Sequence, residues 1–318
     1  MKMKVVSLMH LKDDEVRLIA RYPEITFKFY SYKETIDEED MATMDILIGY
    51  RAAIDEDFIN RCPNLKWIAW FAAGVNALPC ERIHEKGIKL TNAKGIQSKQ
   101  IAEFVLTFLL MDAKCMYTSL ENQREHVYHS RLTGRLLSDY NVLLLGTGSI
   151  ATEIAKMCRY FGMQVSGVNT RGEAEELFEH VYTIDNMKTG LKEADVVINT
   201  LPETKSTIHL LTKAHFETMS SETHFINVGR GSIVKSDVLV AALKAGEIRH
   251  ASLDVFEKEP LPPTHPLYSL DNVTLTAHIS ANEPNNIKKI TRLFEQNLDS
   301  FLNSGEVTNN VVLAKQGY

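Results

Sequence analysis

Residues 141–151 read NVLLLGTGSIA. Val142 to Leu145 form an apolar run short enough to be one buried strand, and it stops at Gly146. Gly148 and Ala151 complete a G-x-G-x-x-A spacing, and IATEIAKMCRYFG follows with helical periodicity. A strand, a glycine turn and a helix in this order form a phosphate cradle. The first glycine permits the tight turn, the second lets backbone approach a pyrophosphate, and the small third residue lets helix and strand pack closely. The helix would aim its positive N-terminal end at the phosphates. A six-residue pattern is weak by itself, but here a βαβ unit follows. Its second strand ends about 20 residues beyond Gly148, the spacing a dinucleotide site requires.

That second strand closes in VSGVNTRG, residues 165–172. An acidic side chain commonly ends this strand, where it grips a ribose diol and repels a 2′-phosphate. Asn169 removes the repulsion, while Thr170 and Arg171 offer a hydroxyl and a cationic fork. This pattern favours NADP(H). If Arg171 is only a solvated loop residue and Asn169 still bonds the ribose, NAD(H) remains open.

Outward from this loop the chain alternates apolar runs with helical patterns, the grammar of a mainly parallel α/β sheet. Before it lie KVVSLM (4–9), ITFKFY (25–30), DILIGY (45–50), LKWIAW (65–70) and IKLTN (88–92). After it come MQVSGV (163–168), DVVINT (195–200), HFINV (224–228), HASLDV (250–255) and NVTLTA (272–277). A long helix is expected from Gln97 to about Tyr117. Another should start near Asn282-Glu283-Pro284 and stop at Ser304-Gly305. The tail VTNNVV would add back to the first series. The expected architecture is two Rossmann-like doubly wound domains, with a cofactor domain (98–285) inserted into a discontinuous substrate domain (1–97 and 286–318).

The 318 residues are 44% hydrophobic and 24% charged, with net charge −6, which argues against a general nucleic-acid surface. No apolar stretch approaches the roughly 20 residues of a membrane span, and the N-terminal apolar run is too short for a signal peptide. The four cysteines form no CxxC pair and suit reduced thiols in a cytoplasmic protein. His126 and His129 stand at i, i+3 without a third ligand of clear spacing, so no metal is expected.

Three later stretches carry the chemistry: FINVGRGSIV (225–234), ASLDVFEKEPLP (251–262) and NVTLTAHIS (272–280). With the glycine loop, they resemble the D-isomer-specific 2-hydroxyacid dehydrogenase family, which includes glyoxylate/hydroxypyruvate reductases, 3-phosphoglycerate dehydrogenases and D-lactate dehydrogenases. FAAGVN (71–76) is similar to its substrate loop and GIKLTNAKGIQSKQIAEFVL (87–106) to its interdomain crossover. NTLPETKST (199–207) is similar to the stretch beneath the cofactor. The resemblance implies an enzyme that reduces a small 2-oxo acid to a D-2-hydroxy acid with NAD(P)H in a cleft between the domains. The expected substrates are glyoxylate, hydroxypyruvate or a short branched 2-oxo acid.

The family's catalytic trio falls on Arg230, Glu259 and His278. His278 would deliver a proton to the keto oxygen, since imidazole ionises near neutrality. Glu259 would hold its other nitrogen, and Arg230 would bind the substrate carboxylate. The likeness also implies cofactor contacts from Gly146, Gly148, Ser149, Ile150, Asn169, Thr170, Arg171, Thr200, Pro202, Thr207, Val228, Asp254 and Ser280. It implies substrate contacts from Ala73, Gly74, Val75 and Arg230, with Arg51 a further candidate, and a homodimer packed near the helix at 98–117. Three departures stand out. Ala277 occupies the usual proline position before the histidine and would loosen the backbone there, Lys235 stands where an acid is common, and SRLTGRLLSDY lacks the usual tryptophan. Two alternatives remain open: a 3-phosphoglycerate dehydrogenase without a regulatory domain, and a non-catalytic dinucleotide-sensing corepressor.

Overall fold

A computed structural model describes residues 2–31, 34–50 and 54–313. Arg51 lies outside them. The chain divides into two compact units, Met1–Ile96 with Glu283–Tyr318, and Gln97–Asn282.

The first unit holds a five-stranded parallel sheet: β1 (Lys4–Ser7), β2 (Thr26–Phe29), β3 (Ile46–Gly49), β4 (Trp67–Trp70) and β5 (Lys89–Thr91), in the order β2-β1-β3-β4-β5. In β3 and β4 every residue is buried. They read ILIG and WIAW, unbroken apolar runs, because helices cover both faces of a parallel sheet. The helix Asn286–Ser304 closes one face. Phe294 stacks on Trp67 with ring centroids 5.1 Å apart, and Leu298 and Phe301 are buried beside them. Gly305, at φ 74°, ends that helix in the left-handed conformation glycine adopts freely. The tail then pairs back: the Val312 amide donates to the Leu90 carbonyl, and Val311 bridges Thr91 antiparallel.

The second unit contains β6 (Asn141–Leu145), β7 (Gln164–Asn169), β8 (Val181–Thr183), β9 (Val196–Asn199), β10 (His224–Asn227), β11 (His250–Leu253) and β12 (Val273–Leu275). All pair in parallel, in the order β12-β11-β10-β9-β6-β7-β8. Val142 and Leu144 face one core with Val105, Ala151 and Ile154, whereas Leu143 and Leu145 face a second core with Met187, Phe216 and Leu239. Strand order reverses between β6 and β9, so the loops leaving these two strands open at a topological switch point.

Two expectations need correction. Strand β8 did not stand out, being three half-buried residues at a sheet edge. The helix expected over 97–117 ends at Ala113, and a second spans Met116–Arg124. The break has a cause: the Ala113 carbonyl, which the next turn would use, accepts the Arg135 amide at 2.9 Å, and Cys115 turns left-handed at φ 54°. Among the described residues no helix is long and apolar enough to cross a membrane.

Candidate active site

Because β6 and β9 to β12 are parallel neighbours, the segments that leave their C-terminal ends emerge along one edge of the sheet. Gly146 sits at φ 101°, and a Cβ there would come 2.8 Å from Thr200 Oγ1. The fold itself therefore demands glycine at 146. Gly148 differs. It is exposed, and a Cβ built on it would meet nothing within 4 Å. Internal packing gives no reason for that glycine, but the approach of an external group does. Helix Ser149–Tyr160 starts here without a side-chain cap, leaving the orphan amides of its first turn, including those of Ser149 and Ile150, as donors for an anion. The residues present thus fit a dinucleotide pyrophosphate. Ala151 is fully buried against the sheet.

At the end of β7, Asn169 Oδ1 accepts the Arg171 and Gly172 amides at 2.9 and 2.6 Å, while Nδ2 donates to Thr147 Oγ1 at 3.3 Å. Its side chain therefore shapes the turn. Thr170 is exposed, and the Arg171 side chain, 74% exposed, pairs with Glu173 at 3.1 Å.

Beyond β9, the hydroxyl of Thr200 donates to the Leu145 carbonyl, and that of Thr207 to the Pro202 carbonyl at 2.7 Å. Beneath these loops lies a pair that the sequence reading missed. Asn199 Nδ2 donates to Asn227 Oδ1 at 2.8 Å, and both side chains are buried. Asn227 also receives the Gly229 amide and donates to the Arg230 carbonyl at 3.1 Å. The pair clamps the loop that carries Arg230. A signal existed in the strands VVIN and HFIN, each apolar until a terminal Asn. A buried amide at such a strand end has to find a partner.

Arg230, Glu259 and His278 follow the adjacent strands β10, β11 and β12. His278 Nδ1 lies 2.8 Å from Glu259 Oε2, and Glu259 Oε1 accepts the Phe256 amide at 3.0 Å. Both side chains are part-exposed, 49% for His278 and 35% for Glu259. Arg230 is half-buried, and its Nη1 donates to the Gly229 carbonyl. Gly231 has no substitute, since a Cβ there would fall 1.9 Å from the Phe256 carbonyl carbon.

Asp254 has no exposed surface. Its carboxylate accepts Thr276 Oγ1 at 2.7 Å and the amides of Ile279 and Ser280, each at 2.9 Å. Its backbone carbonyl accepts the His278 amide at 2.8 Å. The backbone around His278 is therefore pinned, not loosened, although Ala277 precedes it. Ser280 and Val228 are also buried and shape the loops from within.

In the first unit, the turn after β4 holds its carbonyls inward. Asn92 Nδ2 donates to Ala73, Trp70 Nε1 to Gly74, and the Leu78 amide to Val75, at 2.8–2.9 Å.

The strand order and the glycine loop, with a histidine–carboxylate pair on the same sheet edge, define a dinucleotide-binding α/β fold. Residues 106–280 match the family described as D-isomer specific 2-hydroxyacid dehydrogenase, NAD binding domain. Over 258 residues (78% of this chain and 75% of the relative) the sequence is 31% identical to a glyoxylate reductase of Thermofilum pendens. It is 30% identical over 289 residues to a glyoxylate/hydroxypyruvate reductase B of Pectobacterium carotovorum, covering 87% and 88% of the two chains. Among solved structures, a D-isomer specific 2-hydroxyacid dehydrogenase from Xanthobacter autotrophicus, in complex with NADPH and MES, aligns over all of both chains with a TM-score of 0.86 and 26% identity. The chain belongs to the D-isomer specific 2-hydroxyacid dehydrogenase family, NAD(P)-dependent oxidoreductases that act on CH–OH groups.

Proposed function

We propose that the protein reduces a small 2-oxo acid, of the glyoxylate or hydroxypyruvate kind, to the D-2-hydroxy acid with NADPH as the preferred donor. The observation that carries this reading is the His278–Glu259 pair on the sheet edge that also carries the glycine loop. Glu259 holds Nδ1, so Nε2 is the nitrogen left to give a proton to the keto oxygen and to take it back in the oxidative direction. Arg230 binds the substrate carboxylate, because a guanidinium fork matches planar oxygens. The turn at Ala73, Gly74 and Val75, with its carbonyls held inward, offers amides to a carboxylate. When bound, the nicotinamide supplies the hydride. The chain holds the dinucleotide with Gly146, Gly148, Ser149 and Ile150 at the pyrophosphate and with Thr200, Pro202 and Thr207 around the remainder, while the buried Val228, Asp254 and Ser280 shape those loops from within and do not touch it. Asn169, Thr170 and Arg171 read the adenosine ribose. The lack of a carboxylate at 169 and the exposure of Arg171 support NADPH. A panel of 2-oxo acids run with NADPH and NADH at equal concentration tests all of this. Turnover of none of them would end the substrate reading, and a clear NADH preference would end the cofactor one.

The reading includes a homodimer packed near the helix at 98–117, and the segment that continues from it exposes the apolar groups Met116, Leu120, Val127, Tyr128 and Leu136. Light scattering should give twice the chain mass, falling to one chain mass in the double variant Leu120→Asp, Tyr128→Asp. A wild-type chain that is monomeric at assay concentration would remove the dimer.

A further inference from the structure

Glu257 stands two residues before Glu259, on a segment with neither strand nor helix between β11 and Pro266. Its two carboxylate oxygens reach two different parts of the second unit. Oε1 lies 2.8 Å from His209 Nε2, and Oε2 accepts the Ser236 amide at 2.8 Å. Ser236 opens the helix Ser236–Ala245, whose N-cap position is Lys235 and has no side-chain cap. A lysine cannot accept a hydrogen bond, so the orphan amide at that helix start takes its acceptor from Glu257.

His209 is itself tied to the loop that carries Arg230. Its amide donates to the Ser232 carbonyl at 2.7 Å, and Leu211 donates to Ile233 at 2.9 Å. Where the two segments cross they touch backbone to backbone, since a Cβ on Gly231 would fall 1.9 Å from the Phe256 carbonyl carbon and 2.4 Å from the Glu257 nitrogen. Two residues further on, Glu259 takes the Phe256 amide with one oxygen and His278 Nδ1 with the other. A continuous path of hydrogen bonds and contacts therefore runs from the Arg230 loop, through His209 and Glu257, to Glu259.

We propose that Glu257 is a positioning residue for the proton-transfer pair. By holding His209 with one oxygen and the start of the helix Ser236–Ala245 with the other, it fixes the segment that sets Glu259 against His278. This rests on reading Glu259 and His278 as that pair. A carboxylate displaced by about 1 Å no longer orients the imidazole, and such misplacement costs on the order of 100-fold in rate. The competing role for Glu257 is that of a helix cap alone.

The test uses the full chain with hydroxypyruvate and NADPH. Glu257→Ala should lower kcat about 10- to 100-fold while KM and the NADPH Kd from fluorescence stay within about twofold. The downfield Nδ1–H resonance of His278, identified by its loss in His278→Gln, should broaden or move upfield. Lys235→Asp supplies a local cap, so the Lys235→Asp, Glu257→Ala variant should regain the wild-type Tm but not kcat or the resonance. Return of kcat together with Tm would reduce Glu257 to a helix cap and overturn the proposal. Glu257→Ala with normal kcat and an unchanged resonance would overturn it too. Should Glu257→Ala not fold, the double variant and Glu257→Gln, which keeps one acceptor oxygen, carry the same comparison. If the wild type turns over no 2-oxo acid, the functional reading fails by itself, and the His278 resonance still decides the role of Glu257.

Discussion

His278 is held in a left-handed backbone conformation, φ 54°, by Asp254: the His278 amide donates to the Asp254 carbonyl, and the Asp254 carboxylate takes the next two amides. A non-glycine residue in that conformation costs roughly 1–2 kcal/mol. Hydrogen bonds to a charged acceptor contribute about 1.5–3 kcal/mol each, so the turn stands only while the buried carboxylate is there. Asp254→Asn would set an NH₂ against one of these donors. We expect kcat to fall by about 10- to 100-fold, with stability lower by about 1–3 kcal/mol and dinucleotide affinity kept. A loss of NADPH affinity at normal kcat would instead place Asp254 against the cofactor.

The proton-transfer reading predicts that His278→Gln lowers kcat by about 10²- to 10⁴-fold without weakening NADPH binding. Glu259→Gln should fall between that variant and the wild type, because the amide can still orient the ring. Steady-state kinetics together with fluorescence titration give both numbers. Near-normal turnover by His278→Gln would remove it from the chemistry.

Gly146 and Gly148 should separate folding from binding. Gly146→Ala meets both an unfavourable φ and Thr200 Oγ1, so its Tm should drop. Gly148→Val has open space around its Cβ, so it should melt like the wild type yet bind NADPH weakly. A Gly148→Val chain with full affinity would show that nothing approaches that backbone.

Arg171 pairs on the surface with Glu173. Removing Arg171 should raise KM for NADPH about tenfold, as loss of one charge-assisted contact implies, and leave NADH unchanged. Glu173→Ala frees the guanidinium and should move NADPH the other way. Equal effects on both cofactors would mean that Arg171 reads no phosphate.

Away from the site, burial pushes His250 down to about 3, beside His224, which burial also lowers. A histidine in the unfolded chain binds its proton near pH 6.5. As pH falls below that value the unfolded state gains protons that the folded state refuses. Stability is therefore full above about 6.5 and lost toward 3, by up to about 1.4 kcal/mol per pH unit for each such group. His250→Gln should flatten the acid limb of denaturant midpoint against pH. An unchanged slope would show that His250 titrates normally in the fold.

Much of the site was legible because its grammar is local. Gly146 and Gly148 announce a turn and a backbone approach within eight residues, and the apolar runs that became β6, β7 and β9 to β11 are long enough to declare themselves. Strand β8, with three half-buried residues, carries too little pattern for that. The break at Cys115 depends on Arg135, twenty residues away, taking a carbonyl that the helix would otherwise have used. The pairing of Glu259 with His278 came from likeness to a family, not from spacing, since nothing within the eighteen intervening positions of chain says that the two will meet.

By itself, then, the sequence determined the alternation of strands and helices, the phosphate cradle and the residue types available for hydride and proton chemistry, because those follow from steric rules and periodicities that span a few residues. Only the tertiary structure decided that Asp254 is buried beneath His278, that Asn199 and Asn227 clamp the Arg230 loop, and that Glu257 braces two segments at once. Each of these depends on the order in which parallel strands lie side by side, which brings residues far apart in the chain to one edge of a sheet and leaves a buried polar group no partner except the one the neighbouring strand supplies.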